Sequence, residues 1–365
     1  MGGTVRIGLI HLGRTAAGPQ LTLELARALI ALGTSPAVVY SSNAEIADDF
    51  AALDTPSLAV ATFNDTRGAI TGLAKLPRIA RQIDSFLNTH GVTTLVVTME
   101  QIWQALISRK LATGRRVLLF VHDATPHTGE DSAVVRWLHT LERRQATAAL
   151  VLSDHVGTEL VAQGTFTPEE ILRTVHPAFD VRAPSEARSI NNLEMPTIGF
   201  FGRMSRYKGL ELGAQTLGEL RNRGRRVRFF VAGRGVPTDI PGLPHPDDII
   251  DDRWIPQDDV ASLLDQFDIT LLPYTEASQS GVLAYSMALG IPTVVTPVGG
   301  LIEQANDSGC AVIADTVTPT ALADSIEPLL DDPALYRTLS ESGLSAARTR
   351  YSWERTARDV LAAAR

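Results

Sequence analysis

Short apolar runs alternate with segments of helical periodicity along the first half of the chain. Apolar runs predict buried strands at residues 5–10, 37–40, 95–98, 117–121 and 149–152. Between them, apolar residues at helical spacing predict helices at residues 21–32, 76–88, 102–112 and 132–144. Buried strands that alternate with helices indicate an α/β domain with a parallel sheet covered on both faces.

A polar, proline-bearing stretch at residues 177–196 interrupts this pattern and predicts a linker between domains. Beyond it, strands are predicted at residues 197–201, 228–232, 269–272, 293–296 and 311–313. Helices are predicted at residues 210–223, 260–266, 281–289 and 321–330. We therefore expect two Rossmann-like domains, at residues 1–180 and 195–349, whose parallel sheets face a central cleft, and a last amphipathic helix at residues 350–365.

Composition narrows the class of protein. The 365 residues suit two α/β domains, and the formal charge of -8 argues against a nucleic-acid-binding surface. Cys310 is the single cysteine, which fits a reducing compartment. No apolar stretch approaches the roughly 18 residues that span a bilayer, and the start lacks the basic and apolar regions of a signal peptide. These features predict a cytoplasmic protein.

The segment 199–209, Gly-Phe-Phe-Gly-Arg-Met-Ser-Arg-Tyr-Lys-Gly, carries candidate chemistry. A strand ends at Phe201, a glycine turn follows, and Arg203 and Lys208 precede a helix. Ligands of open α/β sheets bind at the carboxyl ends of the strands, where two cations can hold a diphosphate. The alternative is that both side chains belong to a solvated surface loop and bind no ligand.

The segment 276–290, from Glu276 to Gly290, predicts a second part of the same site. Ser280 and Gly281 begin a helix, whose first N–H groups form an anion site, and glycine permits close approach. The Ser280 hydroxyl adds a donor for phosphate. Glu276, in the preceding loop, can accept hydrogen bonds from hydroxyl groups of a ligand; the alternative is a solvated loop carboxylate.

Several ordered segments resemble one known family, the family 4 retaining glycosyltransferases of GT-B fold. Gly-Arg-x4-Lys-Gly at 202–209 is similar to the donor-diphosphate motif of that family. The family pattern continues, in order, at residues 229–235, 254–260, 267–274, 276–290, 291–295 and 299–300. The resemblance covers residues 195–305 well and the N-terminal half more loosely.

The resemblance implies transfer of a sugar, with retention of configuration and without a metal, from a nucleotide diphosphate sugar to a glycan, lipid-linked or small-molecule acceptor. It implies an acceptor-side domain at 1–180, a donor-binding domain at 195–349, and a terminal helix that crosses back to the first domain. The implied catalytic residues are His122, Arg203, Lys208 and Glu276. The implied donor-binding residues are Gly18, Gly202, Gly233, Trp254, Ile255, Ser280, Gly281, Val282 and Tyr285.

The chain departs from the family at one position. The usual Glu-x7-Glu pattern supplies a second glutamate for the ribose hydroxyls, but Ala284 follows Glu276 at that spacing and Tyr285 precedes Ser-Met-Ala-Leu-Gly. The Gln-Ser-Gly version at 279–281 resembles a sub-branch of the family. Tyr285 or Glu303 are the candidates to replace the missing carboxylate.

Other segments offer weaker signals. His122 follows a buried strand and is either a contact to the transferred sugar or a structural histidine; His127 and Glu130 are candidates to hold the acceptor. Gly13 and Gly18 lie in the loop after the first strand, where no dinucleotide fingerprint is present. The acidic run 247–252 suggests metal ligands less well than a solvated loop, because no histidine or further carboxylate accompanies it.

Basic side chains at Lys75, Arg78 and Arg81 share a helix face, which is either solvated or docks on anionic lipid to reach a lipid-linked acceptor. Rival functions stay open at this point. One is a nucleotide-sugar epimerase of similar fold. The other is a binding or scaffold protein that has lost catalysis, which the missing glutamate favours. Our expectation is a glycosyltransferase of polysaccharide or glycoconjugate biosynthesis.

Overall fold

A computed structural model describes residues 5–15, 17–126, 132–179, 181, 184, 186–190 and 194–365. The chain divides into two compact units. Unit 1 contains the described residues up to Pro126, those from Ser132 to Val175, and Trp353–Arg365; unit 2 contains the described residues from His176 to Ser352.

Unit 1 is built on a seven-stranded sheet whose described pairings are all parallel. Its strand order is β3-β2-β1-β4-β5-β6-β7. The strands are β1 Ile7–His11, β2 Ala37–Ser41, β3 Ser57–Val60, β4 Thr94–Val97, β5 Arg116–Val121, β6 Ala148–Val151 and β7 Ile171–Arg173. Since the order reverses between β1 and β4, the loops after these strands diverge and leave space at the carboxyl edge of the sheet.

Helices cover both faces of this sheet. They are α1 Ala17–Ala31, α2 Ala47–Ala51, α3 Thr66–Thr71, α4 Leu76–Thr89, α5 Ile102–Leu111, α6 Ala133–Arg143 and α7 Asp154–Ala162. One apolar core joins alternate strand residues such as Val39 and Leu95 to Ile83 of α4 and Trp103 of α5. The near-continuous burial of each inner strand follows from this double covering.

The last helix of the chain, Trp353–Ala363, packs in unit 1. Its residues Ala357 and Val360 are fully buried in the core on the second face of the sheet, together with Leu25 of α1. Trp353 packs at the edge of the same core, which gives it a structural role. We number this helix α14.

Unit 2 repeats the architecture with a six-stranded sheet in the order β10-β9-β8-β11-β12-β13. The strands are β8 Thr197–Phe201, β9 Arg228–Ala232, β10 Ile249–Asp251, β11 Ile269–Leu272, β12 Thr293–Val295 and β13 Ala311–Ile313. The helices are α8 Leu210–Asn222, α9 Gln257–Leu264, α10 Gly281–Leu289, α11 Gly299–Ser308, α12 Pro319–Asp331 and α13 Pro333–Arg348. Here the strand order reverses between β8 and β11.

The polar stretch 177–196 packs on unit 2 at its described positions. The Ala178 amide donates to the Tyr351 carbonyl at 2.8 Å, and the Arg188 amide donates to Ser340 Oγ at 2.8 Å. The Arg188 guanidinium also bonds the carboxylate and the carbonyl of Asp265. This stretch is therefore fixed by specific contacts despite its polar composition.

The predicted α/β fold with two parallel sheets is confirmed. Strands β3, β7 and β10 were not predicted, because each has only three or four residues and their side chains are mostly exposed or half-buried. The prediction of a solvated loop at 247–252 is wrong. Strand β10 occupies its centre, and the buried Asp248 carboxylate accepts hydrogen bonds from the Phe229 amide, the His245 amide and the Arg221 guanidinium.

Candidate active site

The carboxyl ends of β8 and β11 meet at the point where the strand order of unit 2 reverses. Gly202 follows β8, and Pro273 and Tyr274 follow β11. Ligands of open α/β sheets bind at such switch points. The candidate site is therefore expected around these two strand ends.

The backbones after β8 and β9 approach each other very closely. The Gly202 amide donates to the Ala232 carbonyl at 3.0 Å, and a Cβ at Gly233 would lie 2.0 Å from the Gly202 oxygen. Gly202 and Gly233 also have positive φ angles of 127° and 135°. A side chain at Gly233 is thus excluded by contact with the backbone, and the turn is kept thin at the strand ends.

Lys208 reaches back over this thin turn. It lies in a short 3-10 segment, Arg206–Lys208, between β8 and α8. Its ammonium lies directly beside Gly202: a Cβ built on this glycine would be only 2.4 Å from the Lys208 Nζ atom. The same Nζ is 5.7 Å from the centre of the Tyr274 ring. The sequence prediction that Lys208 lies at the strand end matches this placement, and Arg203, next to Gly202, is exposed at the same edge.

Gly209 fixes the direction of the chain after Lys208. It adopts a left-handed conformation, with φ 67°, at the start of α8. A Cβ there would lie 1.9 Å from the Pro273 oxygen, at the end of β11. The absence of a side chain at Gly209 therefore lets the segment after β8 pack closely against the end of β11.

The start of α10 is the second element of the site. Ser280 is its N-cap, and the Ser280 hydroxyl oxygen accepts the Leu283 amide at 3.3 Å. The structure thus gives this oxygen a capping role, and the contact of the hydroxyl with phosphate stays a prediction. The amides of Gly281 and Val282 belong to the first turn and have no partner within the helix. Their N–H groups carry the positive partial charge of the N-terminal end of the helix.

Tyr274 connects the lysine to the helix start. Its ring is 3% exposed, and its hydroxyl hydrogen-bonds with Ser280. Burial raises the pKa of Tyr274 to about 12, so the phenol is neutral and holds its proton. One tyrosine thus lies beneath the Lys208 ammonium and against the Ser280 cap.

Tyr285, one of the two candidates to replace the missing glutamate, is buried. Its ring stacks on Phe179 with centroids 3.8 Å apart and planes inclined by 11°. The Gln257 side-chain amide, at the start of α9, donates to the Tyr285 hydroxyl. Phe179 also lies in van der Waals range of the Gly281 position, at 3.6 Å from a Cβ built there. Tyr285 therefore packs beside the start of α10 as part of an aromatic cluster.

The remaining predicted residues of unit 2 lie in the segments before α9 and α10 and on helices α10 and α11. Trp254 is 48% exposed, whereas Ile255 is buried, in the segment that leads into α9. Val282 is buried in the first turn of α10. Glu276, half-buried, lies in the loop between β11 and α10, and Glu303 lies on α11.

The predicted residues of unit 1 belong to a separate chain of hydrogen bonds. His122, after β5, bonds the Thr98 carbonyl through Nε2 at 3.2 Å. The Thr98 hydroxyl is 2.6 Å from the Thr22 hydroxyl, which donates to the Gly18 carbonyl at 2.8 Å. Burial lowers the pKa of His122 below its ordinary value, so the imidazole is neutral around pH 7.

His11, at the end of β1, is a residue that the sequence analysis missed. Its ring fills the space beside the first loop, since a Cβ at either Gly13 or Gly18 would lie 2.3 Å from His11 Nε2. Burial lowers the pKa of His11 to about 4. Gly13 and Gly18 are therefore required by this buried imidazole. His127 and Glu130, proposed as acceptor contacts, lie outside the described residues.

Neither a metal-binding cluster nor a membrane-spanning helix is present among the described residues. No group of three or more His, Cys, Asp or Glu side chains there is arranged to hold a metal ion. Within the same part of the chain, every helix is too short or too polar to pass through a bilayer.

Part of unit 2 matches a known protein family. Residues 195–332 match the family described as glycosyl transferases group 1. The chain is 24% identical over 249 residues to alpha-D-kanosaminyltransferase and 25% identical over 218 residues to 2-deoxystreptamine glucosyltransferase, both from Streptomyces kanamyceticus. The matches span 63% and 63% of the two chains in the first case, and 56% of this chain and 55% of the relative in the second. The chain thus spans less than two thirds of these relatives.

A solved structure extends the likeness to the whole fold. HepE from Anabaena, in complex with UDP and glucose, superposes with a TM-score of 0.71 and 13% identity, over 98% of this chain and all of that one. The fold is therefore GT-B, as the motifs had indicated. The resemblance to group 1 glycosyltransferases is likewise confirmed.

Proposed function

We propose that this protein is a group 1 glycosyltransferase, and that it moves a sugar from a nucleoside diphosphate donor to a hydroxyl acceptor with retention of configuration. The observation that carries the proposal is the meeting of the Lys208 ammonium, the thin Gly202 turn and the cap of α10 around Tyr274. The structure of HepE with UDP and glucose supports a nucleotide-sugar donor by analogy of fold.

The leaving diphosphate accounts for the arrangement. As the bond from the sugar to the diphosphate breaks, negative charge grows on the leaving oxygen. Lys208, Arg203 and the first amides of α10 supply positive charge where this oxygen would form. Groups that interact more strongly with the transition state than with the bound donor accelerate the reaction. Fixed amides and a lysine held over a buried ring need little reorganisation.

The sugar would be oriented by Glu276 and His122. Glu276 accepts hydrogen bonds from hydroxyl groups of the sugar. His122 is neutral, and its Nε2 atom donates to the Thr98 carbonyl, which fixes the orientation of the imidazole ring that we assign to the sugar. With Nε2 donating to a carbonyl, Nδ1 is the acceptor nitrogen of that tautomer.

The donor pocket is completed, in our proposal, by Trp254 and Ile255 near the base and by Tyr285 near the ribose. Tyr285 and its partner Gln257 take over the role of the second glutamate, because together they offer a hydroxyl and an amide to the ribose. A hydroxyl with an amide partner can both donate to and accept from ribose hydroxyls.

We propose that cationic side chains and amides take the place of a metal ion at the diphosphate. A purified sample treated with EDTA should then transfer sugar at the untreated rate. A loss of activity that Mg²⁺ or Mn²⁺ restores would refute this part of the proposal.

The acceptor is a glycan, a glycolipid or a small molecule in polysaccharide or glycoconjugate biosynthesis. Peripheral contact with anionic lipid is supported by the exposed cations Lys75, Arg78 and Arg81 around α4. Ile70 and Leu73, just before them, are 66% and 41% exposed. Exchanging Lys75 and Arg78 for Glu should release the protein from vesicles that contain phosphatidylglycerol; unchanged co-sedimentation would exclude this surface.

The proposal is tested with a panel of UDP-, GDP- and ADP-sugars. The expected result is a thermal shift with one base, and slow hydrolysis of one donor without acceptor. Lys208→Met should lower that hydrolysis about a hundredfold, since an ionic hydrogen bond to the leaving group contributes about 1.5–3 kcal/mol. Arg206→Met, in the same exposed segment, is the matched control. Equal rates for both variants would show that the phosphate contact is misassigned.

A further inference from the structure

Gln304 holds the peptide groups of Ser280 from a different helix. It lies in α11 and is 5% exposed. The Ser280 amide donates to Gln304 Oε1 at 2.8 Å, and Gln304 Nε2 donates to the Ser280 carbonyl at 3.0 Å. A single side-chain amide therefore occupies both backbone polar groups of the residue that caps α10.

The loop before α10 is attached to α11 at a further point. The Gly300 amide, in the first turn of α11, donates to the Ala277 carbonyl at 3.0 Å. The loop from Glu276 to Ser280 is thus bonded to α11 near both of its ends. Because α11 follows strand β12, this attachment fixes the loop relative to the sheet.

All polar atoms of Ser280 are consequently engaged within the protein. The amide and carbonyl bond Gln304, and the carbonyl also accepts the Ala284 amide at 3.2 Å. The hydroxyl oxygen caps Leu283. The next amides, those of Gly281 and Val282, make no bond outside the helix to any residue that the structure describes.

We propose that Gln304 is a positioning residue for the diphosphate site. By fixing the Ser280 peptides, it directs the Gly281 and Val282 amides toward the leaving diphosphate and prevents the Ser280 amide from turning toward it. This inference rests on the proposed function, since it assigns a support to the same anion site. It differs from the sequence prediction, which gave Ser280 a direct contact with phosphate.

Removal of the Gln304 amide has a defined consequence. The buried Ser280 amide loses its partner, and the Ser280 carbonyl keeps only the Ala284 amide. A buried amide without a partner is costly and seeks another one. The capping turn then rotates or loosens, and the amides of the first turn lose their common direction. Binding of the phosphates weakens, whereas contacts with the base and ribose are unaffected.

The test compares a ligand with phosphates to one without them. UDP and uridine are titrated calorimetrically into the wild type, Gln304→Met and the surface control Gln266→Met; GDP with guanosine or ADP with adenosine replace them if the donor panel selects that base. Methionine keeps the length of glutamine but lacks its amide. We expect Gln304→Met to weaken diphosphate binding about tenfold to hundredfold, with nucleoside binding changed less than twofold.

Each outcome has a distinct meaning. If the wild type binds no nucleoside diphosphate, the proposed function itself fails. If the wild type binds and Gln304→Met binds diphosphate equally well, or loses nucleoside to the same extent, the positioning role is overturned. Should Gln304→Met not fold, Gln304→Glu keeps an acceptor for the Ser280 amide but loses the donor, and the same selective weakening of the diphosphate is expected.

Discussion

Glu142 makes the stability of unit 1 dependent on pH. It is 3% exposed, near the end of α6, and accepts the Gln104 side-chain amide at 2.8 Å and the Gln101 amide at 3.2 Å. Burial, together with the nearby charge of Glu100, raises the pKa of Glu142 to about 8. We predict that Glu142→Gln, which carries no charge at any pH, removes this dependence.

The sign follows from the protons bound in each state. Below pH of about 4.5 the carboxyl is protonated in both the folded and the unfolded chain, and no penalty arises. Between about 4.5 and 8 the unfolded chain releases the proton while the folded chain keeps it. The free energy of unfolding therefore falls by about 1.4 kcal/mol per pH unit in this window. From pH 5 to pH 8 the loss is on the order of 3–4 kcal/mol.

The assay is urea denaturation of the wild type and Glu142→Gln at pH 5 and pH 8. The difference in unfolding free energy between variant and wild type should grow by about 3 kcal/mol between these pH values. Glu211→Gln, an exposed residue of α8, is the matched control and should leave the difference constant. If Glu142→Gln also leaves it constant, the carboxyl does not retain its proton in the folded state, and the argument from burial is wrong.

Three further predictions concern single contacts. Gly209→Ala should destabilise the protein by at least about 2 kcal/mol in urea denaturation, because φ is 67° and a Cβ would lie 1.9 Å from the Pro273 oxygen; a loss below 0.5 kcal/mol would contradict it. Tyr336→Phe should cost about 1–2 kcal/mol in the same assay, since its hydroxyl donates to the buried Asp268 carbonyl at 2.7 Å; equal stability would mean that water replaces the bond. His122→Phe should lower sugar transfer at least about tenfold while leaving diphosphate affinity unchanged; unaltered transfer would return His122 to a structural role.

Local signals account for the elements that were predicted well. Helix α10 was predicted at residues 281–289, as observed, because Ser280 caps its start and Gly290, with φ 64°, ends it. Both signals lie beside the helix in the sequence. The strands of unit 2 that border the site were likewise predicted, since each is a continuous apolar run.

Contacts between distant residues account for the failures. The acidic run at 247–252 suggested solvation, but Arg221 and strand β9 satisfy Asp248 inside the structure. The contact between the Ser280 backbone and Gln304 was not predicted, because Gln304 lies 24 residues further along the chain. The sequence within either segment does not reveal such a distant partner. Whether a polar residue is buried and hydrogen-bonded can be decided only when its partner in the fold is known.

The placement of α14 has a consequence for synthesis of the protein. Ala357 and Val360 complete a core whose other members, such as Leu25 and Phe120, lie far earlier in the chain. While a ribosome is still translating the residues of unit 2, the apolar surface that these side chains will cover is exposed to water. Unit 1 is therefore completed only after the residues of unit 2 have been translated, and until then that surface is open to chaperones or to aggregation.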